Sequence, residues 1–323
     1  MKIVITRAID LSVLDLLGPI TPVMWPDTSA MPAGAFRAEM ADADGVITSL
    51  TDQVDVELLA ASPLLRVVSQ VAVGVDNIDL EACTARGIPV GNTPDVLTET
   101  TADTAWALLS AVVRRLPEGR DHVLAGEWGP WRPDLLLGGD LHGTTLGVVG
   151  LGRIGAAVAR RAAGFSMRVL YSSRSRKPHL EADLKVSYRA FEALLSESDH
   201  VVITVPLTPD TRGLVDDRAL ALMKQTATLV NVSRGPVVDT DALVRSLATG
   251  GIGAAALDVT DPEPLPGDHP LLGFPNCTVI PHLGSASHRT RAAMLTLAVE
   301  NLAAGLEGER MSSCANQQVY ADE

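Results

Sequence analysis

Short runs of β-branched and other apolar residues recur along this chain, separated by helix-like segments, and that alternation leaves few folds open. KIVIT at 2–6, GVITS at 45–49, LRVVSQV at 65–71 and IPVGN at 88–92 form one series. TTLGVVG at 144–150, MRVLYSS at 167–173, HVVITVP at 200–206, ATLVNVS at 227–233, GAAALDV at 253–259 and CTVIPH at 277–282 form a second. Strands without a polar face are buried on both sides, which a parallel sheet covered by helices achieves. The expected class is α/β. From Thr98, TETTADTAWALLSAVVRRL repeats apolar residues at helical spacing, with threonines able to cap its start and Pro117 near its end. It reads as one long connecting helix. HRTRAAMLTLAVENLAAGL, from His288, reads as an amphipathic helix.

At 323 residues the chain exceeds what one hydrophobic core usually supports, so two domains are expected. A net charge of -13, from 26 Lys and Arg against 39 Asp and Glu, gives no general attraction to nucleic acid or anionic lipid. The start, MKIVITRAIDLSVLDLLG, lacks the basic opening and long apolar stretch of a secretory signal, and no apolar run is long enough to span a membrane. Cys83, Cys277 and Cys314 are odd in number, widely spaced and without a CxxC or His neighbour, which fits a reducing compartment and no metal site. The expected location is cytoplasmic.

Gly150-Leu-Gly152-Arg153-Ile-Gly155 stands directly after the strand-like LGVV and before the helical AAVARRAA. In that setting the glycines allow a tight turn, close backbone approach to a pyrophosphate, and contact between helix and strand. A dinucleotide is therefore the expected cofactor. An acidic residue at the end of the next strand would bind a ribose 2′-OH, but Tyr171-Ser172-Ser173-Arg174-Ser175-Arg176-Lys177 stands there instead. Arg can grip a phosphate through two parallel hydrogen bonds, so NADP(H) is favoured and NAD(H) stays possible. The alternative for this segment is a solvated basic loop.

Reduction of a keto acid needs a cation for the carboxylate and carbonyl, and a proton donor for the developing alkoxide. Arg234, in NVSRG, and His282, in IPHLGSAS, each lie just past a strand-like run, where ligands collect in open α/β sheets. Glu263, in DPEPLP, could fold against His282; a carboxylate bonded to an imidazole fixes the ring and favours its protonated form. Read singly, each is as well explained as a surface charge or structural side chain.

VGVDNID at 73–79, VVGLGRIG at 148–155, VNVSRGPVVD at 230–239, ALDVTDPEPLP at 256–266 and VIPHLGSAS at 279–287 together resemble the D-isomer-specific 2-hydroxyacid dehydrogenases along nearly the whole chain. VGNTPDVLTETTA, RRLP, HPLL and PHLGSASHRTR are most similar to the glyoxylate/hydroxypyruvate reductase branch. The resemblance implies two Rossmann-like domains with a cleft between them, one flavodoxin-like and one doubly wound. Residues 1–97 plus 288–323 would bind substrate, and 98–287 would bind NAD(P). It also implies reduction of a small 2-keto acid, with Arg234 binding substrate, His282 donating the proton and Glu263 paired with it. Val73 and Gly74 amides would bind the substrate carboxylate; Ser285, beside His282, would line the same pocket, and Leu50, at the end of a stretch with few family motifs, is a further candidate to face the substrate. The cofactor would meet Thr104, Gly150, Gly152, Arg153, Ile154, Gly155, Ser173, Arg174, Ser175, Arg176, Val205, Pro206, Thr211, Val232, Ser233, Asp258, His282 and Gly284, with Asp258 on the nicotinamide carboxamide. Family members are typically homodimers, which puts Trp128 and Trp131 at a subunit interface or in ordinary loop packing. Another or bulkier keto acid, and a nucleotide-sensing binding protein built on the same fold, stay open as alternatives.

Overall fold

The computed structural model describes residues 1–18, 20 and 22–321. The chain divides into two compact units, Met1–Leu97 with Ser287–Glu323, and Thr98–Ala286. Residues 322 and 323, which the expected substrate domain includes, lie outside the described residues.

The first unit runs β1 (Ile3–Ile5), β2 (Val23–Met24), α1 (Ala33–Met40), β3 (Gly45–Thr48), α2 (Val56–Ala61), β4 (Val67–Gln70), α3 (Leu80–Ala85) and β5 (Val90–Gly91). Its sheet is parallel throughout, in the order β2-β1-β3-β4-β5, which is the flavodoxin-like winding. Asp55 and Asp79 start α2 and α3 by accepting the N–H of Leu58 and Ala82. Successive strand residues point to opposite faces. Val4, Val46, Val68 and Val90 pack on one side with Met40, Leu59 and Cys83. Ile3, Ile5, Ile47 and Val67 pack on the other under Val299, Leu302 and Leu306 of the returning helix His288–Glu307. Both faces are covered, which is why these strands read as unbroken apolar runs.

The second unit opens with α4 (Thr98–Val113) and α5 (Leu116–Leu124). The helix expected over 98–116 ends at Val113, and a second helix that the sequence did not suggest follows it: Arg115 takes a left-handed φ of 53°, and Pro117 sits in the first turn of α5. Proline's missing N–H costs nothing there, so it starts a helix instead of ending one. The unit continues with β6 (Thr145–Val149), α6 (Arg153–Ala162), β7 (Arg168–Ser172), α7 (Pro178–Leu184), β8 (Ser187–Tyr188), α8 (Phe191–Glu197) and β9 (His200–Ile203). It closes with α9 (Asp217–Leu222), β10 (Thr228–Asn231), α10 (Thr240–Thr249), β11 (Ala254–Leu257) and β12 (Cys277–Val279). The parallel sheet is ordered β12-β11-β10-β9-β6-β7-β8, the doubly wound Rossmann arrangement extended by one strand. Leu146, Val148, Val202, Val230 and Ala256 face α4 and α6, while Val149, Val201, Ile203, Leu229 and Leu257 face the α9 and α10 side. Trp106 of α4 stacks on Phe165 at 4.6 Å and donates to the Val158 carbonyl of α6 at 3.0 Å. The two-residue edge strands β2 and β8 carry no signal in the sequence. No helix among the described residues is long and apolar enough to cross a membrane.

Candidate active site

In the second unit the chain winds one way from β6 to β7 and β8, and the other way from β9 to β12, so the strand order reverses beside β6. Ligands of doubly wound sheets sit at that reversal, past the strands' carboxyl ends. Gly150 leaves β6 with φ +98°, and a Cβ there would lie 3.0 Å from the Val205 nitrogen. A Cβ on Gly155 would lie 2.0 Å from the Gly150 carbonyl oxygen. Only glycine fits this crossing. The Gly150 carbonyl accepts Thr204 Oγ1 at 2.7 Å, and α6 opens immediately at Arg153 and Ile154. A backbone this close to the first turn of a ten-residue helix fits a dinucleotide's pyrophosphate.

The basic segment after β7 is not uniformly free to meet a phosphate. Arg176 makes a bidentate pair with Glu181 of α7, at 2.7 and 2.8 Å. Tyr171, buried in β7, donates to the same carboxylate at 2.6 Å and accepts the Lys177 N–H at 2.7 Å. The hydrogen bonds from Arg176 and then Tyr171 hold the Glu181 carboxyl down at about 2. Ser173 Oγ accepts the Leu151 N–H of the glycine turn at 3.1 Å, and Arg174 is exposed with no ion pair among the described residues. The two arginines read together in the sequence therefore stand differently: Arg174 is available to a phosphate and Arg176 is engaged by an acid five residues on. A carboxylate in the first turn of the following helix was the signal for this clasp.

Arg234, Glu263, His282 and Asp258 lie in loops following β10, β11 and β12. Asn231, ending β10, accepts Ser233 N and Oγ at 3.0 and 2.8 Å and donates to the Arg234 carbonyl at 2.9 Å, which shapes the turn bearing Arg234. A Cβ on Gly235 would lie 1.9 Å from the Thr260 carbonyl oxygen, so glycine lets this turn rest against the segment leading to Glu263. His282 Nδ1 is 2.7 Å from Glu263 Oε1. A carboxylate only accepts, so Nδ1 carries the hydrogen and Nε2 is left for chemistry. Burial pushes the Glu263 carboxyl up, but the hydrogen bond and charge of His282, helped by Thr260 and Arg234, outweigh it and leave the group below its ordinary value.

His282 itself is left-handed, with φ 52°, and Asp258 holds it so. The Asp258 carbonyl accepts the His282 N–H at 2.9 Å, and its two carboxylate oxygens accept the N–H of Leu283 at 2.5 Å and of Gly284 at 3.0 Å. Burial pushes the Asp258 carboxyl up against the charge of His282 and these two amides. This cradle of the His282 turn is a role that the sequence did not suggest. Thr104 donates to the Gly284 carbonyl at 3.3 Å, and Ser285 beside it is buried. Thr211 donates to the Pro206 carbonyl at 2.7 Å in the loop after Val205, and Val232 and Ser233 are buried at the end of β10. Leu50, Val73 and Gly74 belong to the first unit, just past the carboxyl ends of β3 and β4.

The family model described as D-isomer-specific 2-hydroxyacid dehydrogenase, NAD binding domain, matches residues 106–284. The chain is 46% identical over 323 residues to a glyoxylate reductase of Thermococcus kodakarensis, covering 98% of this chain and 97% of that protein. Among solved structures it is similar to a Thermus thermophilus protein at a TM-score of 0.91 and 44% identity, covering 98% of this chain and all of that one. It is also similar to an NADPH-dependent glyoxylate/hydroxypyruvate reductase of Sinorhizobium meliloti, in complex with NADP and malonate, at a TM-score of 0.85 and 35% identity, covering 97% and 96% of the two chains.

Proposed function

The chain belongs to the D-isomer-specific 2-hydroxyacid dehydrogenases, NAD(P)-dependent oxidoreductases acting on CH–OH donors, and we propose that it reduces a small 2-keto acid, glyoxylate or hydroxypyruvate, to the D-2-hydroxy acid. The observation that carries this reading is the 2.7 Å bond between His282 Nδ1 and Glu263 Oε1, beside the loop bearing Arg234. Unit Thr98–Ala286 is the cofactor-binding part and the other unit the substrate-binding part.

Reduced nicotinamide, when bound, supplies the hydride. The glycine turn and the first turn of α6 hold the pyrophosphate, and Arg174 with Ser173 and Ser175 holds the ribose end, which favours NADPH over NADH. Arg234 grips the keto acid's carboxylate and polarises its carbonyl, a role that grows as negative charge builds on the oxygen. His282 gives its Nε2 proton to that oxygen, while Glu263 keeps the ring oriented and offsets the positive charge it carries before the transfer. Asp258 holds the backbone turn that aims His282, and each of its oxygens keeps a lone pair for the carboxamide. Val73 and Gly74 amides bind the carboxylate, and Leu50 and Ser285 border the substrate. The chain is read as a cytoplasmic homodimer, and the exposed Trp128 and Trp131 support a subunit interface through this loop.

The test is initial rates of NADPH and NADH oxidation against glyoxylate, hydroxypyruvate, pyruvate, phenylpyruvate and 2-ketoisocaproate, with His282→Ala alongside. Fast NADPH turnover of the two smallest oxygen-rich acids, lost in His282→Ala, is the expected result. Preference for a bulky acid would move the substrate assignment, and cofactor binding without any turnover would leave a nucleotide sensor in its place.

A further inference from the structure

Three consecutive carbonyls after β4 are each held by a donor within the first unit. The Ala72 carbonyl accepts the Thr93 N–H at 2.8 Å, the Val73 carbonyl accepts Asn92 Nδ2 at 2.9 Å, and the Gly74 carbonyl accepts Gln70 Nε2 at 3.3 Å. These peptide bonds are trans, so each N–H points opposite to the carbonyl of its own peptide plane. Anchoring the three oxygens therefore turns the N–H groups of Val73, Gly74 and Val75 away from the donors that hold them. Among the described residues no hydrogen bond uses these three amides. Successive backbone amides left facing outward are what an anion binds.

The anchors are themselves oriented. Asn92 Oδ1 accepts the Ser313 hydroxyl at 2.7 Å, which leaves its nitrogen for Val73. Gln70 is fully buried, its Oε1 accepts the Thr48 hydroxyl at 2.7 Å, and its nitrogen also serves Asn77 Oδ1 at 2.6 Å. Asn77 in turn donates to the Asp52 carbonyl at 2.6 Å. Such a network has only one satisfying direction, and reversing any member leaves a buried group unpaired.

The geometry points to Asn92 and Gln70 as positioning residues for the substrate's carboxylate, Asn92 aiming the amide of Gly74 and Gln70 that of Val75 as a third donor, beside the Val73 amide that the Thr93 N–H aims through the Ala72 carbonyl. This rests on the keto-acid reading above. Neither side chain touches the reacting atoms; each acts through a peptide plane.

The test uses the full-length enzyme with Asn92→Asp, Asn92→Ala and Ser313→Ala, measuring kcat, KM for glyoxylate, KM for NADPH, and the affinity of oxalate by calorimetry. Asp keeps an acceptor for Ser313 but puts an oxygen against the Val73 carbonyl. Loss of one oriented hydrogen bond should weaken glyoxylate and oxalate about tenfold, with kcat and the NADPH constant moved less than about threefold. Ser313→Ala, one step removed, should shift the same two constants by a smaller factor, and it decides the matter if the Asn92 variants do not fold. Unchanged oxalate affinity, or an equal rise in the NADPH constant, overturns the inference. A wild-type enzyme that binds oxalate in a Ser313-dependent way but turns over no keto acid would sink the keto-acid reading and leave the anion site standing.

Discussion

Replacing Glu263 with Gln removes a charge and little else. The amide oxygen of Gln can still accept the Nδ1 hydrogen of His282 across the same 2.7 Å, so ring orientation and tautomer survive. What disappears is the charge assistance, the difference between about 1.5–3 kcal/mol for a hydrogen bond to a charged group and about 1 kcal/mol for a neutral one. The side chains of Glu263 and His282 are 41% and 25% exposed, so solvent screening puts the loss at the low end of that difference, about 0.5 kcal/mol. That is about a two- to threefold fall in turnover. Steady-state kinetics with saturating NADPH should show the fall in kcat, with the cofactor's KM unchanged. Glu263→Ala should fall further because it also releases the ring. A Glu263→Gln enzyme with wild-type kcat would refute the view that this carboxylate supports the proton donor.

The clasp on Arg176 separates two neighbouring cations: Arg174→Ala should raise the KM for NADPH about tenfold or more with NADH little changed, whereas Arg176→Ala should do much less. Equal effects of the two variants, in the same rate assay, would contradict that split. Asp258→Asn leaves either the Leu283 or the Gly284 N–H facing an NH2 group, a loss of about 1–3 kcal/mol that should appear in chemical denaturation together with a lower kcat. Because burial pushes the Asp258 carboxyl up, removing its charge offsets part of that loss, and an unchanged kcat would show that the cradle does not aim His282. Gly235→Ala drives a Cβ to within 1.9 Å of the Thr260 oxygen and should cost about 1–3 kcal/mol of stability, read from the denaturation midpoint. Glu263 sits below its ordinary 4.5, so its contribution to stability is full above that pH and is lost as pH falls through the lowered value. The stability difference between wild type and Glu263→Gln should therefore shrink only in acid, and a difference that changes only above pH 4.5 would contradict the pairing.

Much of the architecture was legible because it is local. A strand buried on both faces is apolar through most of its length, so ten of the twelve strands among the described residues were visible as runs, and the glycine turn was visible between its strand and helix. The strands β2 and β8 were not, since two residues at an exposed sheet edge need not be part of an apolar run, whereas the equally short β5 is buried. Pro117 was read as a stop and proved a start, because proline's missing N–H is harmful inside a helix and harmless in its first turn. The two arginines after β7 looked alike in sequence, and only the rotation of α7 decided that Glu181 would meet Arg176.

By itself the sequence determined the class of fold and nominated Arg234, Glu263 and His282, because strand ends collect ligands and few residue types can hold a carboxylate or pass a proton. Only the tertiary structure decided which groups meet. The 19-residue separation of Glu263 and His282 closes to 2.7 Å, Asp258 becomes the support of a left-handed His282, and Asn92 and Gln70 hold the Val73 and Gly74 carbonyls. Those contacts depend on hydrogen-bond directions measured to a few tenths of an ångström between segments far apart in the chain, and residue type and spacing carry no record of direction.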